Sequence, residues 1–250
     1  MLGYAALAIP WTRVVPATGL VLVLMELVRR WPYTTWALQG AAVGLVAGAT
    51  AWSLDEPAAR IVDTSPRSLA WRTFARLPAI GLLVAAWVLA AVRSWESLGG
   101  HGSTVLLQGV AGVAVAGAWA TWRRAGGVAM PGTIFAAGVI PAALVWGLTR
   151  LSAWIPVFPY VAAHPNDWAA SSRGWWVAGC LALVVLAAAL ADAHWGRPYG
   201  APAACGPLYP RDGDETGAAD CAGTSGDTLG TRRGPGQGKS SRSSVRPDRP

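Results

Sequence analysis

"WSLDEPAARIVDTSPRSLAWRTFARLP", Trp52 to Pro78, packs three acids, four arginines and three prolines between two apolar runs, a polar density met nowhere else before residue 196. Outward from it the chain is free of charge on both sides, through Trp31 to Leu54 before it and Leu77 to Val92 after it. Further apolar runs follow at Ser103 to Trp122, Ala125 to Thr149 and Gly174 to Ala191, and a sixth, Val14 to Val28, contains Glu26. Mostly apolar runs of roughly 18 residues can cross a bilayer as helices. Of the 250 residues 53% are hydrophobic and 13% charged, about half the charge of an ordinary soluble domain. The reading is an all-α, polytopic integral membrane helix bundle of about six transmembrane helices, residues 1 to 196.

Tryptophan placement agrees, because an amphipathic indole favours the headgroup level. Trp31 and Trp52 bracket the second run, Trp119 and Trp122 close the fourth, and Trp175, Trp176 and Trp195 flank the last. Gly40, Gly44 and Gly48, spaced by four, put small residues on one helix face and allow close helix approach. Met1 to Thr12 is apolar but lacks a basic start and a small-residue cleavage site, so it reads as an interfacial helix rather than a signal peptide. Residues 197 to 250, rich in Gly, Pro, Ser, Thr, Asp and Arg, read as a disordered cytoplasmic tail. Within it "GPGQGKSS" at Gly234 to Ser241 is one residue short of the phosphate-loop spacing and has neither the strand nor the helix such a loop needs.

The formal charge of +7 does not indicate nucleic acid, since the arginines flank apolar runs instead of gathering on one soluble face. With six spans and an internal N-terminus, the internal side holds Arg13, Arg60, Arg67, Arg72, Arg76, Arg123, Arg124, Arg197 and Arg211. The external side holds Arg29, Arg30, Arg93, Arg150 and Arg173. The excess favours that orientation and puts the opening stretch in the cytoplasm.

There, Asp55 or Glu56 can cap a helix begun by Pro57, and Ser65 one begun by Pro66. Ala58, Ile61 and Val62 would share a face opposite Arg60 and Asp63, while Leu69, Trp71, Phe74 and Leu77 would give the second helix apolar surface beside Arg67, Arg72 and Arg76. Two readings stay open: a positive-inside loop whose arginines meet lipid phosphates, and a platform of two surface helices that docks on a cytoplasmic partner.

These residues carry a resemblance. "LDEPA" at Leu54 to Ala58, "TSPRSLAWR" at Thr64 to Arg72 and the six-span plan resemble small ABC-2-like permease subunits of actinobacterial ABC transporters, over roughly residues 1 to 196. The resemblance implies a multi-pass subunit of a bacterial plasma membrane that works as a homo- or hetero-dimer and couples through loop 54–77 to a separate ATPase. It places Asp55, Glu56, Pro57, Arg60, Arg67, Arg72 and Arg76 at that interface. The alternative is a non-transporting membrane anchor or regulator that binds a cytoplasmic partner through the same loop.

No enzyme is expected. Glu26 lies three and four residues before Arg29 and Arg30 and reads as a paired residue at a helix end. Asp192 and His194 end the last span, and His101 and His164 fall in different external loops, so no catalytic or metal-ligating set emerges. Cys180, Cys205 and Cys221 lack metal or disulfide-framework spacing, and no cofactor is expected. The external segment 151–176, with Pro156, Pro159 and Pro165 among aromatics, suggests a re-entrant or surface-lying lid that either gates a path or caps the bundle.

Overall fold

The computed structural model describes residues 9–56, 69–149, 155–159 and 164–194, and every regular element among them is helical. In chain order they are α1 (Trp11–Arg30), α2 (Ala37–Ser53), α3 (Leu69–Phe74), α4 (Leu77–Arg93), α5 (Gly102–Ala125), α6 (Pro131–Leu148) and α7 (Pro165–His194), with a short 3-10 turn at Glu96–Leu98. Each of the six apolar runs corresponds to one long helix. Four of them, α1, α5, α6 and α7, are long and apolar enough to cross a membrane. The remaining two, α2 and α4, have 17 residues each, about 25 Å at ~1.5 Å per residue.

Helix ends depart from the apolar runs for local reasons. α2 begins at Ala37 rather than Trp31, because Pro32 disfavours helix at the residue before it. The Thr35 hydroxyl donates to the carbonyls of Leu27 (3.1 Å) and Trp31 (2.8 Å), satisfying the end of α1. Ala125 closes α5; Gly127, at φ 87°, turns the chain, and Pro131 opens α6. α7 starts at Pro165, nine residues before the expected Gly174, with proline in its first turn and Asp167 at the positive end of its dipole. The C-terminal part of the expected lid is therefore helix. Of the expected interfacial helix, residues 1–8 fall outside the described residues, as does the tail, while Trp11 and Thr12 already belong to α1.

The core inverts the pattern of a soluble protein. Every residue of α2 from Gln39 to Ala51 is buried, as expected of a helix without a polar face. Around this post stand α6, α1, α5 and α4. The outer helices present large apolar side chains outward: Ile134, Val145 and Leu148 on α6, and Trp176, Val177, Leu181, Leu183 and Val184 on α7 are each more than half exposed. Apolar surface on this scale is rare on soluble monomers and suits contact with lipid.

Small residues set the packing. A Cβ on Gly44 would lie 2.6 Å from the Cβ of Ala143, one on Gly48 2.9 Å from Ile140, and one on Gly147 2.7 Å from the Ala37 carbonyl. Contacts that climb α2 as they descend α6 make the two antiparallel. The Gly40-Gly44-Gly48 face of the sequence is this seam. Trp87 is wholly buried between helices, its ring against Gly109, where a Cβ would clash, and its Nε1 donating to the Leu106 carbonyl at 3.1 Å.

The bundle has two polar ends. Glu26, Arg93, Trp36, His101 and Trp168 stand at one, and Asp55, Glu56, Arg72, Arg76 and Arg124 at the other. The loops that the sequence assigns to one side do share an end.

Candidate functional site

Asp55 follows directly on α2, and its carboxylate accepts hydrogen bonds from the backbone N–H of Gly132 (2.6 Å), that of Thr133 (2.8 Å) and the Thr133 hydroxyl (2.7 Å). Pro131, at the first position of α6, has no N–H to offer, so the next two donors are the first that need a partner. Met130, at the cap position, supplies none from its side chain. An acid from a different helix thus caps α6 at the positive end of its dipole. Gly132 permits the approach, because a Cβ there would run into the Ala51 carbonyl. The Asp55 carboxylate, 2% exposed, is bound to α6; the helix expected to begin at Pro57 lies outside the described residues.

Glu56 turns into the bundle beside it. Its carboxylate receives Arg72 Nη1 at 3.0 Å, Arg124 Nη2 at 2.9 Å and Nε at 3.2 Å, and pairs with Arg76 Nη2 at 3.4 Å. Arg72 comes from α3, Arg76 precedes α4 and Arg124 ends α5, so one carboxylate gathers three elements behind α2. All four side chains are between 4% and 7% exposed. Arg72 and Arg76 reach it together because residues four apart share a helical face. The space enclosed among them is about 10 Å³, the lower limit for a single water.

This arrangement turns the apolar side chains of the segment outward and its arginines inward. Phe74 and Leu77 are 61% and 48% exposed while Arg72 and Arg76 are buried, as suits a segment whose outside meets an apolar medium. The four described members of the predicted set, Asp55, Glu56, Arg72 and Arg76, do come together, but as an internal clamp rather than an exposed charged face. Pro57, Arg60 and Arg67 lie outside the described residues. Arg124 was missed, having been counted only as a topological charge. A signal existed: Gly112, Ala116 and Ala120 are buried at intervals of four, and the next step is Arg124. Arg123 falls off that face and lies 5.6 Å from the Trp119 ring centroid.

Toward the other end, a polar chain crosses the interior. Gln39 Nε2 donates to Gln108 Oε1 (2.7 Å), Gln108 Nε2 donates to Ser171 Oγ (3.2 Å), and Ser171 Oγ donates to the Val157 carbonyl (2.9 Å). Trp175 Nε1 also donates to Val157 (3.0 Å), and Trp36 Nε1 to the Pro159 carbonyl (2.6 Å). Residues 155–159 of the expected lid are thereby pinned to the bundle by side chains. His101 stacks on Trp168 with ring centroids 4.0 Å apart, and burial pushes its imidazole below the usual histidine range. Beneath this layer lies an apolar cleft of about 260 Å³, with Val43 and Gly44 of α2, Gly112 of α5, Trp146 of α6, Phe158 and Trp175 among its walls.

No family model matches the chain, and comparison with curated proteins and with solved structures yields no match. The fold itself defines the class: an all-α helix bundle with, among the described residues, four helices long and apolar enough to cross a membrane, a multi-pass architecture closed at one end by a buried charge clamp.

Proposed function

We propose that the chain is the permease subunit of an ABC-type transporter in a bacterial plasma membrane, crossing it six times and driven by a separate ATPase that docks at the 54–77 end. The observation that carries this reading is the Glu56 clamp. A surface loop that only carried topological charge would have no need of buried ion pairs to the bundle, whereas a loop that receives force must be rigidly joined to what it moves. Through Glu56 a push on α3 reaches α4 and α5, and through Asp55 the same corner reaches α6. Of those helices α5 and α6, with α2, form most of the wall of the apolar cleft, whose lining suits hydrophobic or amphipathic cargo better than an ion. A dimer of such subunits would complete the path.

The test is cross-linking in native membranes from a cysteine at the exposed position 129, in the turn between α5 and α6 at the same end of the bundle, followed by assay of the captured partner. An ATPase that cross-links there, and whose hydrolysis changes when this subunit is present, supports the reading. Capture of a partner without ATPase activity from the same position would replace it with the membrane anchor.

A further inference from the structure

At the end of the bundle opposite Glu56, α1 and α4 finish side by side. Glu26 takes Arg29 in a bidentate pair (Nε–Oε2 2.8 Å, Nη2–Oε1 2.6 Å), Arg30 through Nε (3.0 Å) and Arg93 through Nε (3.6 Å). Below this cluster runs a trough of about 490 Å³, with Leu22, Val23 and Leu27 of α1 and Leu89 of α4 along its apolar length and Arg30 and Arg93 at its mouth. We propose that the trough binds one anionic phospholipid, with the phosphate on Arg30 and Arg93 and an acyl chain between α1 and α4.

Three features point to that occupant. The ion-paired group holds three guanidiniums and one carboxylate, a surplus of two positive charges; the carboxyl ends of α1 and α4 return about half a negative charge each, leaving the mouth net positive. Arg30 and Arg93 engage Glu26 by Nε, and at 61% and 68% side-chain exposure their terminal nitrogens face outward as donors for phosphate oxygens. Glu26 holds the arginines converged before any ligand arrives, which lowers the ordering cost of binding.

The trough then selects a lipid over a soluble anion. Val23 and Leu89 are 54% and 58% exposed, on helices whose outer faces already suit lipid, and a gap without partner atoms forfeits dispersion contacts that an acyl chain restores. Trp31, 54% exposed, lines the same mouth and marks headgroup depth. The inference needs only the membrane class and stands apart from the transport reading.

Native mass spectrometry of the full-length protein, released from detergent after incubation with phosphatidylglycerol or phosphatidylcholine, tests it. The wild type is expected to retain phosphatidylglycerol about thirtyfold better, the scale of a surface cation acting on each of two contacts. Arg30→Gln with Arg93→Gln brings the ratio close to one while Arg29 keeps Glu26 paired. Val23→Trp, which fills the trough from an exposed position and so tests the idea even if the arginine variant is unstable, lowers retention of both lipids. Millimolar inorganic phosphate leaves retention unchanged. Equal retention of the two lipids by the wild type, an unaltered preference in the arginine variant, full binding by Val23→Trp, or displacement by phosphate alone would each overturn the proposal.

Discussion

Replacing Glu56 by Gln removes one charge and almost no volume, so its effect reports on the clamp alone. The three guanidiniums left behind stay between 4% and 7% exposed, too deep for water to replace the carboxylate without opening α3 or the end of α5. Removing one member of a buried ion pair typically costs about 3–5 kcal/mol, far more than the ~0.5 kcal/mol of an ordinary surface change. At roughly 2–4 °C per kcal/mol for chains of this size, the midpoint of thermal unfolding in detergent should drop by about 6–20 °C. Tryptophan fluorescence, with 15 Trp in the chain, follows the transition. A second substitution sharpens the assay: Arg124→Met should be costly in the wild type, where it strips a hydrogen-bonded partner from Glu56, but milder beside Glu56→Gln, where that charge pairing is already lost, giving a coupling of about 1–3 kcal/mol. A midpoint within about 2 °C of wild type, or two changes that simply add, would refute the clamp.

Asp55→Ala removes the acceptor for three hydrogen bonds at the start of α6; the expected loss is about 2 kcal/mol, measured by thermal unfolding, with hydrogen exchange accelerated in the first turn of α6. Gly132→Ala drives a methyl into the Ala51 carbonyl, whereas a Cβ on Gly138 of the same helix meets nothing within 4 Å; the first should cost about 1–3 kcal/mol or more and the second gain up to about 1 kcal/mol. Gln108→Leu strands the Gln39 amide, while Ser171 keeps its bond to Val157, and should destabilise by about 1–2 kcal/mol, with part recovered in Gln39→Leu/Gln108→Leu. His101 titrates below its ordinary 6.5 in the folded protein because partial burial disfavours its charged form, so the unfolded chain takes the proton first. Its contribution is therefore intact above pH 6.5 and declines as pH falls from there toward the lowered folded value, and His101→Gln should flatten that part of a stability-against-pH curve.

Helix class and the seam between helices were legible because each rests on a local pattern. Uninterrupted apolar runs made the long helices visible, and the glycine spacing on α2 announced a close contact without naming α6 as its partner. The site was legible by composition but not by direction. Asp55 and Glu56 are adjacent to a proline, which is a sound local reason to expect a cap on the following helix. The Asp55 oxygens are taken by a helix some 75 positions later, because Pro131 leaves two donors exposed at the place where Gly132 lets α6 touch α2. Arg72 and Arg76 share a face, as their spacing requires, yet nothing in that spacing says whether the face meets water or the protein. Solvent decides: Phe74 and Leu77 lose nothing by facing an apolar medium, so the arginines are free to turn inward toward Glu56.

That inward turn changes what the loop's charges mean at two stages of the protein's life. Positive charge biases topology while the chain is being inserted, when Arg72, Arg76 and Arg124 are still exposed. Once α3, α4 and α5 have met, the same three residues are buried on Glu56 and no longer belong to the surface. Substitutions there therefore separate by kind. Arg72→Lys and Arg76→Lys keep the charge that insertion uses but lose the planar, multiply donating group that a buried carboxylate needs. They should insert with wild-type orientation, read by cysteine labelling on either side of the membrane, and then unfold at lower temperature. Mixed orientation in these lysine variants would mean that guanidinium geometry already acts during insertion, and wild-type stability would mean that a point charge suffices beside Glu56. With orientation kept and stability lost, loop 54–77 is first a topological signal and then a structural joint.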